Sequence, residues 1–221
     1  METYSKSVCE LKHEFVKLYK GNSHTTEILP NMPDESLQIE SYSLSLLHKF
    51  LDANPIYSNQ ISKKISDLDY TIFEGDLNNY WIDSIKHDTS YAPFYPTWML
   101  SAWGLALTAK NLGFEQIIDI GSGDGRIAYC GKVLGLDSIS IEIDENLVNM
   151  QEDLSLKTGI EFNPVCSDAT NYDFKKIPPK KSIFVIGGVP EIGEVLAESV
   201  IQNALEIPHI SNSSFVLTGS H

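Results

Sequence analysis

The residues of this chain best suited to chemistry are concentrated in IIDIGSGDGRIAYCGKVLGLDSISIEID, residues 117–144. A glycine-rich turn directly after a short apolar run lets backbone approach a nucleotide-like molecule at the start of a helix. Two kinds of occupant compete for it. Starting at Gly123, GDGRIA fits the G-x-G-x-x-A spacing of a dinucleotide site. Starting at Gly121, the sixth position is Arg126, where that pattern wants Gly or Ala. Glu142, about twenty positions on, suits either register as the acidic partner of a ribose.

Charge separates the two better than spacing does. Asp119 stands just before the turn Gly121-Ser122-Gly123-Asp124-Gly125, and Asp124 lies inside it. A diphosphate would settle beside these carboxylates against a repulsion that a partly dry site screens poorly. S-adenosylmethionine has the opposite requirement, because its ammonium and sulfonium are both cations. Glu142 can accept hydrogen bonds from two ribose hydroxyls. In CSDATNYDF, Asp168 is placed to accept from an adenine amino group. Taken singly, each acid has a plainer reading: an Asp beside a turn is often an Asx cap, and Glu142 alone could be a solvated strand residue. Their order, at successive strand ends, favours the cationic nucleoside.

The elements that must hold these residues alternate. A helix is expected from Thr97, behind Pro96, to Gly113. Apolar strands follow at 117–120 and at 139–143, where Ile alternates with Ser and Glu. A helix over 145–157 closes at Gly159, and a strand at 161–166 carries Pro164, which suits a sheet edge. KSIFVIGG gives a fourth strand, Pro190 opens a helix to about Leu205, and SSFVLTG, 213–219, gives a fifth. Repeated strand–helix–strand units imply an α/β fold, a Rossmann-like parallel sheet with helices on both faces. Residues 1–90 read as a helical N-terminal extension. One stripe is Tyr4, Val8, Leu11, Phe15 and Leu18; a second helix is expected over 36–52, stopped by Asn54-Pro55. The polar run GNSHTTEILPNMPD reads as a loop. Ile61, Ile65, Leu68 and Ile72 mark a third helix with Ser58 as N-cap, and Leu77, Tyr80, Trp81 and Ile85 a short fourth. The division is therefore 1–90 and 91–221.

Residues 91–219 resemble the class I S-adenosylmethionine-dependent methyltransferases. IIDIGSGDG is similar to their first motif, Glu142 to their second-strand acid and Asp168 to their adenine-side acid. With the preceding PFYPT, the match looks closest to small archaeal protein-lysine methyltransferases and their mitochondrial relatives. The resemblance implies S-adenosyl-L-methionine as cofactor. It places Tyr95, Pro96 and Thr97 near the methionine end, Asp119, Gly121, Ser122, Gly123 and Gly125 at the first motif, Ile143 beside Glu142, and Ser167 and Ala169 beside Asp168, with Gly187 after the fourth strand. Pro93 and Pro96 would equally serve to set the entry to a helix. Arg126 is expected to pair with Asp124 or Glu142. The family's sheet usually ends in two antiparallel strands, and nothing after the fifth expected strand corresponds to them before His221.

The acceptor is less legible. Enzymes that methylate exocyclic amines of bases carry (D/N)-P-P-(Y/F) after the fourth strand; here the run is IGGVPEIGE, residues 186–194, which disfavours adenine or cytosine. Phe94, Tyr95, Trp98 and Trp103 would suit either an apolar channel for a lysine or the core. No Ser-His-Asp or Cys-His set occurs, and no catalytic base stands out. The net charge of -14, from 16 basic and 30 acidic side chains, repels a nucleic-acid backbone and attracts a basic protein or peptide, or simply keeps the chain soluble. Cys9, Cys130 and Cys166 are far apart and there is no HExxH, so no metal is expected. The N-terminus lacks the apolar run of a secretory leader, so a cytoplasmic, membrane-free protein is expected. Besides protein amino methylation, a small-molecule acceptor, a non-catalytic cofactor-binding scaffold and, remotely, an NAD-dependent oxidoreductase stay open.

Overall fold

A computed structural model describes residues 2–80, 94–187 and 194–219. The alternating half folds as its sequence implies. Five parallel strands, β4 (Gln116–Ile120), β5 (Asp137–Glu142), β6 (Pro164–Cys166), β7 (Ser182–Ile186) and β8 (Ser214–Leu217), lie in the order β6-β5-β4-β7-β8. The chain order reverses beside β4, so the carboxyl ends of β4 and β7 flank the switch point where such sheets bind ligands. Helices α3 (Met99–Asn111), α4 (Arg126–Val133), α5 (Glu145–Thr158) and α6 (Glu194–Leu205) surround it. β6 is an edge strand, as Pro164 requires. Among the described residues no helix is long and apolar enough to cross a membrane.

Successive residues of the central strand serve opposite faces. Ile118 and Ile120 pack with Phe184, Ile186, Ala197 and Val200 under α6. Ile117 joins a larger core on the other face. Asp119 alternates onto the face of Ile117, toward the start of α4, where the backbone N–H of Ala128 reaches its carboxylate at 3.4 Å.

The first eighty residues depart from the helical extension expected of them. Helix α1 (Glu2–Leu18) forms on the anticipated stripe, with Tyr4, Val8, Leu11 and Phe15 buried. Helix α2 begins later than expected and spans Ser41–Ala53, because residues 34–39 turn first: the Asp34 carboxylate accepts from the backbone of Ser36 and Leu37. The stretch read as a loop holds strand β1 (Thr25–Pro30), and the expected third helix is a hairpin of β2 (Tyr57–Ile65) and β3 (Leu68–Gly75). These form an antiparallel sheet, β1-β3-β2. The four-three-four spacing of apolar residues was misleading: Ile65 and Ile72 are buried, whereas Ile61 is 40% and Leu68 49% exposed. Ser66 and Asp67 make the two-residue turn, both at positive φ, 46° and 70°. The proposed Ser58 N-cap is accordingly a strand residue. The expected fourth helix lies largely outside the described residues.

The small sheet is not detached. One apolar core runs from Tyr4 and Phe15 through Ile28, Phe50 and Phe73 to Trp103, Ile117 and Val185. Trp103 thus belongs to the core, which settles one of the two readings of that aromatic.

Candidate functional site

At Gly121, Gly123 and Gly125 the backbone adopts φ of +63°, +58° and +77°, left-handed conformations that glycine reaches without strain. The turn they form carries the chain from β4 into α4. Beneath it, Gln151 donates to the Gly123 carbonyl at 2.7 Å and to the Ser122 hydroxyl at 3.0 Å, and Ser140 Oγ lies 2.7 Å from Ser122 Oγ. Gly125 occupies the N-cap position of α4, where a side chain would meet the Phe162 ring at 2.5 Å. Phe94 lies so close above Gly123 that a Cβ there would strike its ring.

Above the strand tips opens a cavity of about 1310 Å³. Asp119, Gly121, Ser122, Gly123, Glu142, Ile143, Ser167, Asp168, Ala169 and Gly187 line it, as do Tyr95, Pro96 and Thr97. Gly125 is the exception among the expected residues: it shapes the turn from behind and does not reach the wall. Phe94, Tyr95 and Trp98 add aromatic surface, and the cavity continues to α1 at Tyr4, Val8, Lys12 and Phe15. Residues 188–193, where an acceptor motif was sought, lie outside the described residues, as does Pro93. No group of three or more His, Cys, Asp or Glu suited to a metal ion occurs among the described residues.

The carboxyl groups on this wall differ in state. Asp119 is buried, and burial holds its carboxyl well above the usual carboxylate range; neighbouring Asp124 and Glu142 push the same way. Glu142 is raised by burial too, although three backbone N–H groups oppose it: Gly123 at 2.8 Å on Oε2, and Ile143 at 2.8 Å and Asp144 at 3.0 Å on Oε1. For Asp168, partial burial pushes upward, but hydrogen bonds from Thr170 and Asn171 outweigh it and hold the carboxyl below its ordinary value.

Asp124, read in the sequence as a carboxylate beside which a diphosphate would have to settle, is tied into an ion pair. It is buried against Arg126, whose Nε lies 2.9 Å from Oδ1 and whose Nη2 lies 2.5 Å from Oδ2, and Asn54 donates to it at 2.9 Å. Arg126 goes on to ion-pair with Glu27 on β1 and to donate to the Thr97 carbonyl at 2.7 Å and the Tyr57 hydroxyl at 2.9 Å. Its expected pairing with Asp124 is present; the alternative, with Glu142, is not. All five guanidinium N–H groups are engaged. Burial pushes Glu27 up to about 7 against the pull of Arg126.

Glu27, Asn54 and Tyr57 escaped the sequence reading. The one trace of them was a glutamate inside the apolar run TTEILP; its partner lies 99 positions away, and no local spacing links the two.

The turn's own donors are largely engaged. Gly121 and Ser122 N–H point to the Ile141 carbonyl, Gly123 to Glu142 and Gly125 to the Ser122 carbonyl. At the start of α4, Arg126 and Ala128 N–H meet Asp124 and Asp119. The chain's own carboxylates therefore occupy the helix terminus that an anionic ligand would use.

Fold and site together define a Rossmann-like α/β protein with an acidic cavity at the switch point of its sheet. Among solved structures the chain is similar to a protein of Pyrococcus horikoshii (11% identity, TM-score 0.43, covering 53% of this chain and 55% of that one). It is also similar to the tRNA (uracil-54, C5)-methyltransferase of Pyrococcus abyssi, in complex with S-adenosyl-L-homocysteine (13% identity, TM-score 0.46, 73% of this chain and 34% of that one). A third is an S-adenosylmethionine-dependent methyltransferase of Clostridium acetobutylicum (14% identity, TM-score 0.38, 53% and 49%). The chain spans less than two thirds of the length of each of these three. No family model and no curated protein matches it.

Proposed function

We propose that this chain binds S-adenosyl-L-methionine in the cavity and transfers its methyl group to an amino group of a protein, in first place a lysine side chain. One observation carries the cofactor half. Most of the donors that would have to hold a diphosphate, the N–H groups of Gly121, Ser122, Gly123, Gly125, Arg126 and Ala128, are already engaged, the last two by Asp124 and Asp119 at the helix start. The wall around the strand tips is rich in carboxyl groups, Asp119, Glu142 and Asp168 among them, which suit a cation-bearing nucleoside. Asp119 and Glu142 then face the methionine and ribose portions, and Asp168 the base. An NAD-dependent oxidoreductase would need the reverse arrangement.

The bound cofactor supplies an already activated methyl on a sulfonium, so the chain's task is to align the reactants and exclude water. Phe94, Tyr95 and Trp98 give the cavity an apolar wall on which an amine can be dehydrated. A lysine, with reference pKa about 10.4, sheds its proton more readily in such surroundings. The net charge of -14 would draw a basic protein or peptide toward the site. A cytoplasmic setting without nucleic-acid or membrane partners belongs to the same reading.

Calorimetry with S-adenosylmethionine and with NAD tests the first half: binding of the former alone is expected, and binding of NAD alone overturns it. Incubation with methyl-labelled cofactor and cell extract tests the second. Label on protein is expected. Label only on small molecules moves the acceptor to that class, and measured binding without any transfer leaves a scaffold.

A further inference from the structure

Arg126 and its partner Asp124 draw two N-terminal stretches of the chain onto the glycine turn. Glu27 comes from β1, Tyr57 from the start of β2, and Asn54, beside Tyr57, from the end of α2, reaching Arg126's partner Asp124. The Thr97 carbonyl fixes the segment that enters α3 to the same guanidinium, and Glu27's second oxygen accepts the Met99 N–H at 2.8 Å. A pairing of Asp124 with Arg126, two residues apart, needs none of this. Here Arg126 is 1% exposed, and beyond Asp124 its fork is completed by Glu27 and Tyr57 of the N-terminal sheet and by the Thr97 carbonyl. A planar fork tolerates little displacement once all its donors are committed.

We propose that Glu27, Tyr57 and Asn54 are positioning residues: through Arg126 and Asp124 they hold the turn at 121–125 and the segment at 97 in the geometry of the binding cavity, so the N-terminal sheet is part of the site. The choice of S-adenosylmethionine as the ligand to test rests on the function proposed above; the clamp itself does not. Tyr57 and Asn54 are the informative members, because neither lines the cavity. Any effect they have on a ligand must pass through their partners in the network: Arg126 and Asp124, and Glu27, whose carboxylate lies 3.4 Å from the Tyr57 hydroxyl.

The test is Tyr57→Phe, which removes a single hydroxyl, with Asn54→Ala as a second variant. Amide hydrogen exchange is followed in the ligand-free full chain at the turn and at core strands β4 and β7 in the same sample. Exchange at Gly123, Gly125 and Arg126 is expected to speed up by a larger factor than at the core strands, and the dissociation constant for S-adenosylmethionine to rise roughly tenfold. Loss of protection by equal factors everywhere would make the network a stability element alone and overturn the proposal. So would unchanged affinity in both variants beside a binding wild type. If wild type binds no S-adenosylmethionine, the function proposed above fails, and the exchange pattern still decides the clamp.

Discussion

Asp119 is placed where an ordinary core residue would serve the fold better. It follows two isoleucines on a central strand, is buried, and receives one long hydrogen bond. Because its carboxyl titrates higher folded than unfolded, the native state holds a proton that the unfolded chain gives up. Its contribution to stability is therefore full below the unfolded value, about pH 4, and falls as pH rises from there toward the raised native value. Asp119→Asn keeps an acceptor for Ala128 N–H and removes that loss. The ligand-free variant is expected to melt higher than wild type at neutral pH, with the gain vanishing below about pH 4. It should also bind S-adenosylmethionine more weakly, since the cation loses its counter-charge. A melting midpoint unchanged across pH would contradict this account of the buried acid. Glu142→Ala removes the acceptor of three backbone N–H groups as well as the ribose-facing carboxylate. Affinity should drop by about 1–3 kcal/mol, read by calorimetry. Gly123→Val acts on the fold as well as on the cavity. Its Cβ would strike Phe94 and its φ of +58° is unfavourable, so even Gly123→Ala should lower stability by about 1–2 kcal/mol in denaturant titrations.

Among the elements, what the sequence disclosed and what it concealed divide on a physical line. Strands β4 and β7 are buried along their whole length, so short, mostly apolar runs announce them, the first interrupted by Asp119. Gly159, at φ +75°, ends α5 as its sequence position implies. The acids Asp119, Glu142 and Asp168 were legible because each falls at or next to the carboxyl end of a strand. The hairpin was hidden for two reasons. β2 is exposed at all but its ends and shows no inward–outward alternation, and the Ser66-Asp67 turn lacks the Asn-Gly signal. Strand β1 was masked by the polar and proline-rich residues around it, Pro30 being tolerable only because β1 is an edge. Non-glycine residues at both turn positions leave room for improvement. Replacing Ser66-Asp67 by Asn-Gly is expected to raise stability by about 0.5–1 kcal/mol in urea, despite losing the exposed 3.7 Å pair of Lys64 with Asp67. Lower stability would mean that the turn is held by something other than its backbone conformation.

For the molecule as a whole, the question is whether residues 2–80 are an appendage or a structural half of the site. Packing answers in favour of the second. Tyr4 of α1 reaches the Leu100 carbonyl of α3 and packs beside Gly104, while Tyr129 of α4 bridges back to the Leu46 carbonyl at 2.8 Å. Phe50 and Tyr129 rings lie 4.6 Å apart at their centroids, joining α2 to the helix that follows the glycine turn. Beneath these contacts the charged cluster of Glu27, Asp124 and Arg126 is buried, and parting the halves would expose or strand its charges. Opening the junction therefore costs apolar burial and a buried ion cluster together, and it divides the larger of the two cores. Unfolding is expected to be a single transition: far-ultraviolet dichroism, tryptophan fluorescence, and exchange at β1 and β3 amides should share one denaturant midpoint. S-adenosylmethionine, binding at the far side of the junction, should raise all three together, because ligand linkage acts on the whole cooperative unit. Exchange at β1 and β3 through an opening of lower free energy than at β4, unaffected by ligand, would show the small sheet to be an independent unit and the cavity to be complete without it.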